Sequence, residues 1–302
     1  MKDNAFVAVL DERVLTSEAG YSHLIMKYND IIRCGNSEII IDFTNCINFD
    51  ANLAAVLGAL IGNAKSFGKR FRIRPPKAVG VKRCLTRNKF FSAFQVETTS
   101  HERQNFIPYT KFSATQTQEF KQYIDENLIS KQQFPSHTEK AGIYIRECIF
   151  EVFANAATHG NCEEIYCCGE YLPNKTVPVL DMTIVDCGKT IVSNVNDYLT
   201  SRNCPAVSSC QAISWATQYG NTTKDIPGGL GLWNLIEFIR MNKGFLQIIS
   251  GNGMIEYRKG YQEIEMQQIS LPFPGTIVNM AFNFNDNQSY LMSDEIDTTN
   301  LL

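Results

Sequence analysis

No apolar run in this 302-residue sequence is long enough to cross a membrane as a helix, and its start, Met1-Lys-Asp-Asn, has no hydrophobic core of the secretory kind. A cytoplasmic protein with no membrane partner is therefore expected. Paired cysteines are also missing. The ten that occur are scattered without a Cys-x-x-Cys pair, and Cys167 and Cys168 are adjacent, a spacing that makes chelation by both awkward. These spacings argue against a zinc site and leave the cysteines as reduced thiols, mostly small core residues. No internal repeat is visible. Net charge is small, at -3, but it is unevenly spread. Residues 1–100 hold 14 Lys and Arg against 9 Asp and Glu, and the remainder is negative by eight, so the two halves can attract each other.

What is present suffices for two ordinary cores, since 44% of the residues are hydrophobic and only 20% are charged. The run from Ser37 to Thr44 is short, β-branched and bounded by turn residues, as a buried strand is. A helix follows, with Leu53, Val56, Leu57, Leu60 and Ile61 at helical spacing behind Asp50, until Gly68 ends the pattern before the strand Arg70–Arg74. Pro75 and Pro76 stop that strand, and Val81, Leu85, Phe90, Phe91 and Phe94 supply a further helical face.

Three segments carry the chemistry. Glu151, Asn155 and His159 stand at four-residue steps, the first two within an apolar helix predicted over 139–158 and His159 at its end, so Glu151 and Asn155 reach one site from one face. Asp186-Cys-Gly188-Lys-Thr190 ends the strand Val179–Val185, where Asp186 shares parity with Leu180, Met182 and Ile184 and so points into the buried layer. A lone carboxylate there is costly unless a donor meets it, and Gly188 lets the backbone pass close to a ligand. The third segment, Gly228-Gly229-Leu230-Gly231-Leu232, opens a helix whose free N–H groups and positive end suit phosphates. Between the last two lies 194–227, a lid-like stretch with one short helix expected around 212–218.

Taken together the three segments resemble the N, G1 and G2 boxes of the GHKL (Bergerat-fold) ATP-binding family. The resemblance implies ATP and Mg²⁺ as cofactors, with Asn155 on the metal, Glu151 as general base and Asp186 accepting from the adenine amino group. Gly188, Thr190, Gly228, Gly229, Leu230, Gly231 and Leu232 would line the nucleotide. Thr190 departs from the family, which has a second glycine there. The strand, the Asp50-Ala51-Asn52-Leu53 turn and the helix behind it resemble the STAS domain of anti-anti-sigma factors. In that family the turn carries a phosphoacceptor serine, and here the position is Asn52, which cannot accept a phosphoryl group.

The expected fold class is α/β: a STAS-like domain over 1–103, a connecting helix over 104–137, and a GHKL two-layer sandwich over 138–285. The latter would have a mixed sheet with helices on one face, and an acidic, mobile tail would occupy 286–302. The resemblances imply a Mg·ATP-binding regulator of bacterial signalling type with slow ATPase activity. Two other readings are a serine/threonine kinase acting on a separate STAS partner and a non-catalytic nucleotide-dependent binding module. Expected partners are ATP, the STAS-like domain of the same or a neighbouring chain, a separate regulatory protein, and a second copy in a homodimer. The basic run Lys69, Arg70, Arg72, Arg74, Lys77, Lys82, Arg83, Arg87 and Lys89 reads as a docking or solvated face, with nucleic acid the less favoured partner.

Overall fold

Short apolar strands alternating with helices build the N-terminal region. In a computed structural model that describes residues 5–97, 106–132, 134–172, 179–223, 229–258, 264–284, 288–292 and 295, β1 (Phe6–Val9), β3 (Glu38–Asp42) and β5 (Arg70–Arg74) pair in parallel in the order β1-β3-β5. Beside them β2 (Arg13–Val14) pairs with β4 (Asn48–Phe49). Two long helices cover the inner face. The first, α1 (Glu18–Arg33), begins at Ser17, whose hydroxyl accepts the Gly20 N–H. The second, α2 (Leu53–Ser66), is buried at every residue from Leu53 to Ile61. A helix apolar all round must be covered on both sides. The short helices α3 (Val79–Arg87) and α4 (Phe90–Ala93) complete this part.

The second cover of α2 is a five-stranded sheet. Its strands are β6 (Phe106–Ser113), β7 (Glu164–Leu172), β8 (Val179–Asp186), β9 (Phe245–Tyr257) and β10 (Ile264–Asn283), in the order β6-β7-β8-β10-β9. Every pairing is antiparallel rather than mixed. Along each strand the side chains alternate between two cores. Leu180, Met182 and Ile184 face one core with Val278, Met280 and Phe282, while Val185, Ile249 and Ile277 face the other with the N-terminal helices. Gly58 and Gly62, four residues apart on α2, allow this approach, since a Cβ at either would collide with the Tyr109 or Tyr166 hydroxyl. The molecule is thus mixed α/β, with a parallel sheet and its helices laid on one face of the antiparallel sheet and further helices on the other.

Asn52 lies in the middle of this contact, buried at 2% exposure. It accepts from the Thr16 hydroxyl at 2.9 Å and donates to Thr183 of β8 and Asn279 of β10 at 3.2 and 3.3 Å. Asp50, read as part of the helix cap region, instead accepts the Thr16 N–H at 2.7 Å, and Asn52 stands at the N-cap without a side-chain cap bond.

Three segments differ from expectation. The 104–137 stretch is not only a connecting helix. Its residues 106–113 form edge strand β6, with Ile107, Tyr109 and Phe112 buried, and α5 (Thr117–Ile124) and a π-helical turn over Asp125–Ile129 follow. Pro108, which has no N–H, is tolerated there because β6 is an edge and its ladder is irregular between Ile107 and Thr110. The lid-like stretch holds two helices rather than one. These are α7 (Ile191–Ser201), capped by Thr190, and α8 (Ser209–Ala216), begun by a capping box of Ser208 and Gln211. Residues 288–292, expected to be mobile, form a parallel bridge at Tyr290 with His137. Among the described residues no helix is long and apolar enough to cross a membrane, and all ten cysteines are free thiols.

Candidate functional site

On the sheet face opposite the N-terminal helices, α6 (Glu139–Thr158) and α9 (Gly231–Met241) leave a gap against β8 and β10. The gap is a cavity of about 280 Å³, and the three sequence segments converge on it. Glu151, Asn155 and His159 line it from α6, Asp186 from the end of β8, and Gly229, Gly231 and Leu232 from the start of α9. The helix α6 is predicted by its apolar stripe and begins at Thr138, whose hydroxyl accepts the Ala141 N–H. Four-residue spacing then sends the polar side chains into the cavity while Ile145, Ile149 and Phe153 stay in the core, and the buried Val152 and Ala156 supply part of the cavity wall.

Glu151 is exposed at the cavity, and the Asn155 side chain is half-buried. Among the described residues neither the Glu151 carboxylate nor the Asn155 carboxamide has a hydrogen-bonding partner. Gly231 starts α9 directly against Glu151, in a space that a Cβ would fill, so the first and third segments touch. Gly229 adopts a left-handed φ of 78°, which suits only glycine at no cost. Leu230 is exposed at 42% and does not line the cavity, and Gly228 lies outside the described residues.

Asp186 is 5% exposed. Its Oδ1 accepts the Gly188 N–H at 2.8 Å, and the Thr276 N–H of the partner strand also favours its charged form. These bonds do not offset burial, which pushes the carboxyl up from its ordinary 3.8 to about 7. Folded chain then holds this proton where unfolded chain has released it. The folded state accordingly binds more protons between about pH 4 and 7, and the contribution of Asp186 to stability falls as pH rises through that window. Denaturant unfolding at pH 5 and pH 8 should show Asp186→Asn gaining stability relative to the parent at the higher pH, by on the order of a few kcal/mol. An equal difference at both pH values would refute this titration.

Gly188 does not line the cavity itself but fixes its wall. A Cβ there would strike the carbonyl of Gly160, and the next N–H, of Lys189, donates to that same carbonyl at 2.6 Å. Thr190 also lies outside the cavity lining. Its hydroxyl accepts the Ser193 N–H as the cap of α7.

Helices α7 and α8 line the remaining side through Asn194, Val195, Trp215 and Ala216. Asn194 of α7 donates to the His159 carbonyl at 2.8 Å, and the Thr223 hydroxyl lies 3.2 Å from His159 Nδ1. Lys189, Val195, Trp215, Thr276 and Val278 also line the cavity, and no local pattern marks them as binding residues. Thr276 is the strand partner of Asp186, and Trp215 arrives by way of α8 packing on β9. Pairing across strands places both, and no local pattern announces it.

No group of three or more His, Cys, Asp and Glu among the described residues forms a metal cage. The donors at hand are oxygens, the Asn155 carboxamide and the Glu151 carboxylate. Such a set fits a hard cation only when a ligand brings further oxygens, as Mg²⁺ on phosphates does. No family model, curated protein or solved structure matches the chain.

Proposed function

We propose that this protein binds Mg·ATP in the α6–α9 cavity and acts as a nucleotide-responsive regulator with slow ATP hydrolysis, resembling the GHKL (Bergerat-fold) proteins. The observation that carries the reading is the convergence of three segments, far apart in sequence, on one cavity: Glu151 and Asn155, Asp186, and Gly229 with Gly231. In this reading Asp186 accepts from the amino group of the base, because a buried carboxylate gains most from a new donor. The start of α9 presents free N–H groups to the phosphates. Asn155 supplies one oxygen to Mg²⁺, which neutralises phosphate charge when bound. Glu151, exposed at the same end, takes a proton from the attacking oxygen.

Its exposure also favours a second reading, transfer to a hydroxyl of a separate STAS-type protein. The N-terminal region resembles such a domain, but its acceptor position is Asn52, which lacks a hydroxyl and is buried against β8 and β10. Incubation with γ-labelled ATP separates the readings. Slow appearance of free phosphate with no label on the chain is expected. Stoichiometric label on residues 50–53 would contradict it, and label on an added STAS protein would establish the kinase.

A further inference from the structure

The described residues of the C-terminal segment contribute nothing to the cavity lining, yet they are joined to both helices that flank it. The Tyr290 N–H donates to the Ser136 carbonyl at 2.8 Å, and the Tyr290 carbonyl accepts the Thr138 N–H at 2.9 Å. The Thr138 hydroxyl, at the cap of α6, donates to Glu295 at 2.6 Å, and the same carboxylate oxygen accepts the Met292 N–H at 2.7 Å. A carboxylate suits that end of a helix. On its other side the Tyr290 ring meets Phe238 of α9 edge-on, with centroids 5.2 Å apart, and its hydroxyl lies 3.5 Å from Asn242 Nδ2. Asn242 caps the end of α9 and is itself bonded to the Asn283 backbone through both amide atoms, at 2.7 and 3.0 Å.

This segment therefore grips the first turn of α6 and the last turn of α9. The cavity lies at the other end of the pair, where Gly231 starts α9 against Glu151. Glu151 stands thirteen positions after Thr138, roughly 20 Å of helix at 1.5 Å per residue. Two packed helices of that length behave as levers, since close-packed contacts transmit displacement rather than absorb it. A change at the gripped end alters how α9 meets Glu151 and Asn155 at the open end.

We infer that Tyr290 is a positioning residue: the segment around it straps α6 to α9 and sets the spacing of the nucleotide site. Its consequence for ligand rests on the Mg·ATP reading, whereas the strap itself does not. The full-length protein tests it with Tyr290→Ala, Tyr290→Phe and Glu295→Ala. Without nucleotide, Tyr290→Ala should speed hydrogen exchange in the last turn of α9, where its ring and hydroxyl make the contacts, while the backbone bonds to Ser136 and Thr138 remain. With Mg·ATP, calorimetry should show its Kd raised roughly tenfold, a coupling of ordinary size between distant elements. Tyr290→Phe keeps the ring on Phe238 and should restore both. Glu295→Ala, away from the core, should release the α6 end alone and provides the test if Tyr290→Ala does not fold. Unchanged exchange in α6 and α9 in these variants would overturn the strap. Altered exchange with unchanged Kd would overturn the positioning role, and if the parent chain binds no Mg·ATP the nucleotide reading falls with it while exchange still decides the strap.

Discussion

A chain lacking residues 1–97 is expected not to fold into an independent ATP-binding domain. The face of the antiparallel sheet that carries Val185, Ile249, Phe273 and Ile277 is buried under α1 and α2 and belongs to the same core as they do. Re-exposing such side chains costs about 1.5–3 kcal/mol each, so these four alone rival the 5–15 kcal/mol that holds an ordinary domain together. The buried set of Asn52, Thr183 and Asn279 would lose partners as well. Expression of residues 98–302 should yield insoluble or molten protein, and calorimetric melting of the full chain should show one transition. A soluble, cooperatively melting 98–302 fragment would contradict a shared core.

Much of that architecture was legible in residues. The strand Arg70–Arg74 and the helix from Glu139 to Thr158 have the bounds their patterns predict, since each is closed by a clear stop or cap. Two-sided burial of α2 was legible in principle, because Leu53-Ala-Ala-Val-Leu-Gly-Ala-Leu-Ile61 has no polar face and two glycines at one helical interval. What it packs against was not. Strand β6 escaped a local reading because its surroundings are polar and Gln-rich, and only pairing with β7 gives its alternation a buried side. Both lid helices carry cap residues, yet α7 is weakly apolar, with Val195 its one buried residue, and it is held by contacts with α8 and β9.

Substitution inside the cavity should divide binding from turnover. Asn155→Ala and Asp186→Asn are each expected to weaken Mg·ATP binding by roughly 10- to 100-fold, the size of a lost interaction with a charged group. Glu151→Ala should leave affinity nearly unchanged and lower phosphate release by on the order of 100-fold or more, as removal of a general base does. Those directions follow from placement: Asn155 and the buried Asp186 both line the cavity, while the exposed Glu151 stands beside Gly231 at the start of α9. Loss of affinity in Glu151→Ala equal to that in Asn155→Ala would assign both side chains to binding.

The site was legible to the extent that its residues lie in short segments. Spacing along α6 and strand parity in β8 bring Glu151, Asn155 and Asp186 to one cavity. Thr190, Leu230 and Gly188 fall outside the lining because capping and backbone packing, rather than a ligand, occupy them. Trp215 and Thr276 reach the cavity only through tertiary contacts, which no local pattern encodes. The central claim is tested most directly by calorimetric titration of Mg·ATP into the full-length protein, its Asn155→Ala and Asp186→Asn variants, and the parent with GTP in place of ATP. One ATP per chain, weakened in both variants and not matched by GTP, is the predicted result. No binding to the parent, or the same affinity in all three proteins, would contradict it.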